Sequence, residues 1–347
     1  MQSEYGGASS YVIEGDEGLW DLCVVRGTST SSTGSTGGTH GLHNTKVEGG
    51  LHKVGLRSIV KLDKSNSPSP VVAEDGSSQA DVGKKRKHQT GSHENLFKRS
   101  LAEVTLPYEG IEERRDEYRL GDLPYKSDGL EPHIDCATVE VHYNGHHTAY
   151  TKKMNAALSQ WRDDQEISKQ EKRLAEESIL EILRNIKDVP EKYRKAIQNN
   201  GGGFVNHNIY WSVLAPNPTG EERRPRDDLL DDIEDVFGRY EDFVGYFTEK
   251  AMTLFGSGYV WLSRQADDSR LVISSTSNQD SVLSDGLNPI LVIDLWEHAY
   301  YLKHQNRRAQ HISDWWRLLD WERVSGLDAW WDDITEATHD EHVHSDF

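Results

Sequence analysis

Two changes of hydrophobic period along the chain predict an α+β fold. From residue 141 to 254 apolar side chains recur at helical spacing; from Tyr259 to Ile293 they alternate or run in short apolar bursts; around Trp315, Leu318 and Trp321 the helical spacing returns. The expected architecture is an N-terminal antiparallel helical hairpin domain over residues 116–218, then a C-terminal domain over 219–328 in which a three-stranded antiparallel sheet is flanked by helices. An extension over residues 1–115 precedes them and an acidic tail over 329–347 follows.

The extension contains a Gly/Ser/Thr-rich stretch from Gly27 to Thr39 and a polar stretch from Ser65 to Thr90, too poor in apolar residues to bury a core, so most of it is expected to be disordered. Tyr11 to Val25 has the composition of a strand or two without a partner. The basic run Lys84-Lys85-Arg86-Lys87 resembles a nuclear-localisation or nucleic-acid patch, but solvated linker charge is the weightier reading, and nucleic acid is not an expected partner.

Within the folded part, helical periodicity over Val141–Trp161 and Ser168–Ile186 predicts a helix pair joined by the acidic turn at Asp163 and Asp164, with Pro190 breaking the second helix. Leu230, Ile233 and Phe237, then Phe243, Phe247, Ala251 and Leu254, mark two amphipathic helices. Tyr259 and Trp261 alternate with smaller residues, and Leu271–Ile273 and Ile290–Ile293 are apolar runs, giving three strands. The acidic, His-containing tail from Asp332 reads as frayed.

Composition limits the class. The 347 residues carry a formal net charge of -19 and two cysteines, Cys23 and Cys136, which form neither a metal motif nor a disulfide scaffold, as expected in a reducing intracellular compartment. No apolar secretory or membrane-spanning segment is present, so no membrane partner is expected. The first residues, with Glu4, Asp16, Glu17 and Asp21, are unlike an Arg-rich, acid-poor organelle presequence.

The chemistry gathers at histidines. An apolar strand ends at Asp294, and His298 stands four residues on; a surface Asp/His pair is the alternative to half a metal site. His142, His146 and Tyr150 stand four apart, so on a helix each step drifts only about 40° and the three share one face, while Tyr143 and His147 point elsewhere. A glycine run, Gly201-Gly202-Gly203, leads into a segment whose single histidine is His207, the natural third nitrogen ligand or else a satisfied core histidine. Imidazoles plus a carboxylate without thiolate suit a redox-capable first-row ion, although ligand type does not exclude zinc or copper.

These residues stand within six blocks in order: Leu123-Pro124-Tyr125 with Leu130 to Ile134, His142 to Tyr150, Asn199 to Trp211, Phe255 to Leu262, Asn278-Gln279-Asp280, and Asp294 to Tyr301. Together they resemble the iron/manganese superoxide dismutase family from about Leu123 to Val324. The resemblance implies His142, His207, Asp294 and His298 as ligands of one ion per subunit, with a solvent molecule as fifth ligand. Gln279 beside Gly203 corresponds to the manganese-type arrangement, with iron the alternative. The implied activity is conversion of superoxide to dioxygen and hydrogen peroxide, with Tyr150 and His146 supplying a proton relay and Trp211, Trp261 and Trp296 walling the site.

Glu297 and Tyr301 are implied at the interface of a homodimer or homotetramer, and Arg308, Arg307 and Lys303 at a basic channel mouth that offsets the net charge. Two positions depart from the family: Gly145 replaces a frequent cation, and Tyr259 a frequent Trp. Mitochondrial residence is common in the manganese branch, and nuclear and plastid destinations stay open. A catalytically inactive scaffold or ribosome-associated protein on the same fold is the competing reading, but it has no need of converging ligands; an iron oxygenase with two histidines and one carboxylate would use fewer.

Overall fold

In the computed structural model residues 105–344 are described. The Gly/Ser/Thr-rich stretches, the Lys84–Lys87 run, Cys23 and the last three residues of the tail lie outside them. All the described residues belong to one compact unit.

The hairpin domain opens with a short helix, α1 (Cys136–Glu140), whose N-cap Asp135 accepts from the Thr138 amide. It continues without a break through a π-helical segment, Val141–His147, into α2 (Thr148–Arg162). The expected helix over Ser168–Ile186 is instead two short ones, α3 (Lys169–Ala175) and α4 (Ile179–Arg184). The reason is local: Ser168 and Ser178 each cap an amide three residues ahead, so the chain starts a helix twice. The arm that packs along α2 is α5 (Glu191–Ser212), and Pro190 serves as its N-cap residue instead of simply ending what precedes it.

Every residue of α5 from Gly201 to Ser212 is buried, which makes it the central helix of the fold. Beyond it, α6 (Asp227–Phe237) and α7 (Tyr240–Thr253) lead to the sheet, β1 (Gly258–Gln265), β2 (Leu271–Ser277) and β3 (Leu287–Asp294). The strands are antiparallel in the order β2-β1-β3. The central strand β1 is buried along all but its last residue, and a bulge lies between Leu262 and Ser263. β3 packs on α5, so the sheet and the central helix meet where Asp294 ends the strand.

A short helix α8 (Tyr301–His304), then α9 (Arg308–Leu318) and α10 (Trp321–His344), close the domain. α10 runs past residue 328, and buried Trp331 donates to the Pro289 carbonyl at 2.8 Å. The core joins both halves through Trp161, Trp211, Trp261, Trp315, Phe204, Phe243 and Phe247, all almost fully buried. No helix among the described residues is long and apolar enough to cross a membrane.

Candidate metal centre

His142 and His207 come from the hairpin domain, Asp294 and His298 from the exit of β3, and all four converge. One ligand atom from each lies within 4.8 Å of the other three. Asp294 Oδ2 stands 3.2 Å from His142 Nε2, 3.3 Å from His298 Nε2 and 3.7 Å from His207 Nε2. His142, His207 and Asp294 are buried, yet Nε2 of both His142 and His207 has no hydrogen-bond partner. A fold that buries two orphan imidazole nitrogens beside a carboxylate carries a large desolvation cost unless a cation shares them. The donor set therefore fits a first-row divalent or trivalent ion.

The tautomer of His207 agrees with ligation. His207 Nδ1 lies 2.6 Å from the Gly203 carbonyl, which can only accept, so the proton sits on Nδ1 and Nε2 offers its lone pair to the centre. Burial holds His142 well below the usual imidazole range and lowers His207 to about 4. Burial by itself would raise the Asp294 carboxyl, but the adjoining His298 and His142 rings outweigh it and hold the group ionised. With His142 and His207 neutral and Asp294 ionised, these three groups lose no proton when a metal binds.

Around this set lies a chain of directed hydrogen bonds. Tyr259 Oη donates to Gln279 Oε1 at 2.7 Å, and Gln279 Nε2 donates to Tyr150 Oη at 3.1 Å. Tyr259 is paired with Asp294 across β1 and β3, which puts its hydroxyl beside the centre. Burial raises both phenols, so Tyr150 and Tyr259 hold their protons at neutral pH. The glycine run lets these groups approach: a Cβ on Gly202 would lie 2.0 Å from the Gln279 carbonyl oxygen, and one on Gly203 would lie 2.7 Å from the Tyr150 ring.

The π-helical segment was not legible in the sequence, and it changes one reading. With i→i+5 spacing, His147 turns onto the side that His142 occupies. It is buried and stacked on His207 at 5.2 Å, its Nε2 3.2 Å from the Phe204 carbonyl, and does not point elsewhere as helical spacing predicts. His146 is half-buried and stacks on His298 at 4.2 Å. Trp211 and Trp296 wall the centre, at 4.7 Å from His142 and 5.3 Å from His298, whereas Trp261 forms the layer behind, packed on Tyr259 at 5.4 Å. Tyr210, which sequence reasoning passed over as one aromatic among several, lies 5.5 Å from the His142 ring.

Three cations expected at a channel mouth are each engaged by main-chain carbonyls. Arg308 donates to Leu254, Gly256 and Leu295, Arg307 to Lys303, and Lys303 to Pro132. Carbonyls fix these side chains without cancelling their charge. Gly145 leaves open space on the same helix as His142 and His146. Glu297 is exposed, and Tyr301 is 47 % exposed.

Comparison with known proteins agrees with this arrangement. Residues 117–215 match the family model "Iron/manganese superoxide dismutases, alpha-hairpin domain", and residues 225–327 the corresponding C-terminal domain. The chain is 43 % identical over 208 residues to the "Superoxide dismutase [Mn]" of Listeria innocua, covering 60 % of this chain and 96 % of the relative. It is 40 % identical over 210 residues to the "Superoxide dismutase [Mn/Fe] 2" of Staphylococcus aureus, again covering 60 % and 96 %. The chain belongs to the iron/manganese superoxide dismutase family.

Proposed function

We propose that this chain is a superoxide dismutase whose ion, manganese in preference to iron, is held by His142, His207, Asp294 and His298. The observation that carries the reading is the pair of orphan Nε2 atoms facing a buried carboxylate at the junction of the two family domains. Bound there, a redox ion supplies the one-electron couple by which two superoxide anions and two protons become dioxygen and hydrogen peroxide.

The remaining work falls to the chain itself. Tyr150 holds a proton at the end of the Tyr259–Gln279–Tyr150 chain, where a peroxide product needs one. Tyr259 fixes the Gln279 amide with its NH2 toward Tyr150, since Oε1 is already taken. His146, stacked on His298, contributes to the same relay at the half-buried edge. Trp211 and Trp296 restrict the space to a small substrate. Arg308, Arg307 and Lys303 favour an anion locally against the formal net charge of -19, because screening confines bulk repulsion to roughly 8–10 Å.

Manganese is supported by Gln279, whose side chain lies against Tyr150 where a side chain on Gly203 would clash, and by relatives named for manganese or for manganese and iron. A homodimer or homotetramer is supported by the exposure of Glu297 and Tyr301 beside His298. An intracellular setting rests on the two cysteines alone. Retained ligands disfavour an inactive scaffold.

The test is metal content by mass spectrometry alongside superoxide consumption, before and after chelation and reloading with manganese or iron separately. Activity restored by manganese supports the reading; activity with iron alone moves the chain to the iron branch. A folded protein that takes up neither ion and consumes no superoxide overturns it.

A further inference from the structure

Behind Asp294 lies a second polar cluster, made of His133, His304, His311 and Asp314, all but Asp314 buried. His311 Nε2 stands 2.9 Å from the main-chain oxygen of Asp294, an atom that can only accept, so His311 is the donor. Its ring is stacked on Tyr300 at 4.9 Å and lies 5.5 Å from the His304 ring. His304 Nε2 is 2.8 Å from Asp314 Oδ2. The other carboxylate oxygen, Oδ1, receives Gln310 Nε2 at 3.2 Å and faces His133 Nδ1 at 3.5 Å, while His133 Nε2 lies 3.1 Å from the Asn217 carbonyl.

α9 grips the turn after β3 at two successive residues. Arg308 donates to the Leu295 carbonyl at 3.1 Å, and His311, three residues on and therefore on the same face, donates to that of Asp294. Asp294 is thus tied at Oδ1 by the Trp296 amide at 2.8 Å and at its main-chain oxygen by His311, leaving Oδ2 directed at the three imidazoles.

We propose that His311 is a positioning residue for Asp294, and that Asp314 anchors the same clamp through His304 to α8 and through His133 to the hairpin domain. The inference rests on Asp294 being a metal ligand. Asp294 and His298 belong to one domain and His142 and His207 to the other, so a tie across the junction sets the relative position of the two ligand pairs. Outer partners of this kind hold a ligand's orientation, and their loss typically costs roughly 10-fold to 100-fold in metal affinity.

The experiment uses the full chain loaded with manganese and challenged with excess chelator. It follows metal release, the visible absorption of the oxidised ion, and the thermal midpoint of the metal-free protein. His311→Phe, which keeps the stack on Tyr300 but removes the donor, is expected to release metal at least about 10-fold faster and to shift the absorption band. His311→Gln, whose amide can reach the same carbonyl, should return most of the way to the parent rate, and Asp314→Asn should fall between. A His311→Phe protein with parent release rate and spectrum overturns the proposal. So does equal acceleration in the Phe and Gln variants matched by equal loss of metal-free stability, which marks general loosening. Should the Phe variant not fold, an Asp314→Asn protein indistinguishable from the parent overturns it instead. If the parent chain itself holds no metal, the ligand assignment fails as well, an outcome separable from all of these.

Discussion

On the helical side of the centre, His142 and His207 are held chiefly by contact. α5 is buried on every face over its last three turns, its glycines sit against Tyr150 and the Gln279 backbone, and His207 is stacked on His147. On the sheet side, Asp294 is the last residue of β3 and His298 stands four residues on, and directed donors fix that turn: the Trp296 amide, Arg308 and His311. Helix packing supplies a rigid wall, whereas a strand exit has main-chain groups that the sheet ladder no longer satisfies. The two halves should therefore fail differently, sterically on one side and through lost hydrogen bonds on the other.

The largest effect should come from removing a ligand. His207→Ala is expected to hold less than about a tenth of the parent's metal and to lose superoxide-consuming activity, with secondary structure by circular dichroism retained. Parent-like activity in that variant would refute the ligand assignment on the helical side.

Next comes the steric half. Gly202→Ala places a Cβ 2.0 Å from a backbone oxygen, which has no flexible end to swing away, so a loss of about 1–3 kcal/mol or more is expected in chemical unfolding. Gly145→Ala meets nothing nearer than 4.0 Å and should be neutral or stabilising by up to about 1 kcal/mol. Equal effects from the two glycines would show that close contact does not govern the helical side. On the sheet side, Tyr259→Phe keeps the ring and removes only the donor to Gln279 Oε1, so about 1 kcal/mol of stability is at stake. Activity should fall by more than stability suggests, because the Gln279 amide loses the partner that orients it. Steady-state kinetics of the loaded enzyme beside urea unfolding would separate the two.

How far the sequence discloses this arrangement follows the same division. The residues that converge at the centre were legible because they stand in blocks with local signals: i,i+4 spacing for His142, a glycine run before His207, and an apolar run ending at Asp294 with His298 four residues on. The sheet was legible from its change of period. What the sequence hid is what tertiary context decides. The π-helical segment that brings His147 beneath the centre has no pattern distinct from an α-helix, and the break at Ser178 is overridden in periodicity by the apolar residues on either side. His311 reads as a polar residue on an amphipathic helix, since its partner, the Asp294 carbonyl, lies 17 positions away. In the sequence Tyr259 is a strand residue and a departure from the family; its donation to Gln279 Oε1 depends on the fold.

The smallest effect tests whether the helical side depends on the polar tie between its two arms. Asp164, in the loop after α2, pairs with Lys192 and accepts from Tyr193 Oη at 2.9 Å at the start of α5, so it closes the hairpin at residues well removed in sequence from the ligands. The Lys192 ammonium, with the Glu166 amide, lowers its carboxyl to about 2. A depressed carboxyl contributes stability that is fully present above the unfolded value near 4 and is lost as pH falls toward about 2. Asp164→Asn removes that contribution, so the gap in thermal midpoint between parent and variant, measured on the metal-free protein, should be constant above about pH 5 and close between about pH 4 and pH 2. The Lys192 end of the tie is half exposed, and the contribution is correspondingly modest. Metal release from the loaded variant at neutral pH should match the parent, because contact along α2 and α5, not this pair, holds His142 and His207 in place. A faster release would show that the helical half, too, is positioned by its hydrogen bonds.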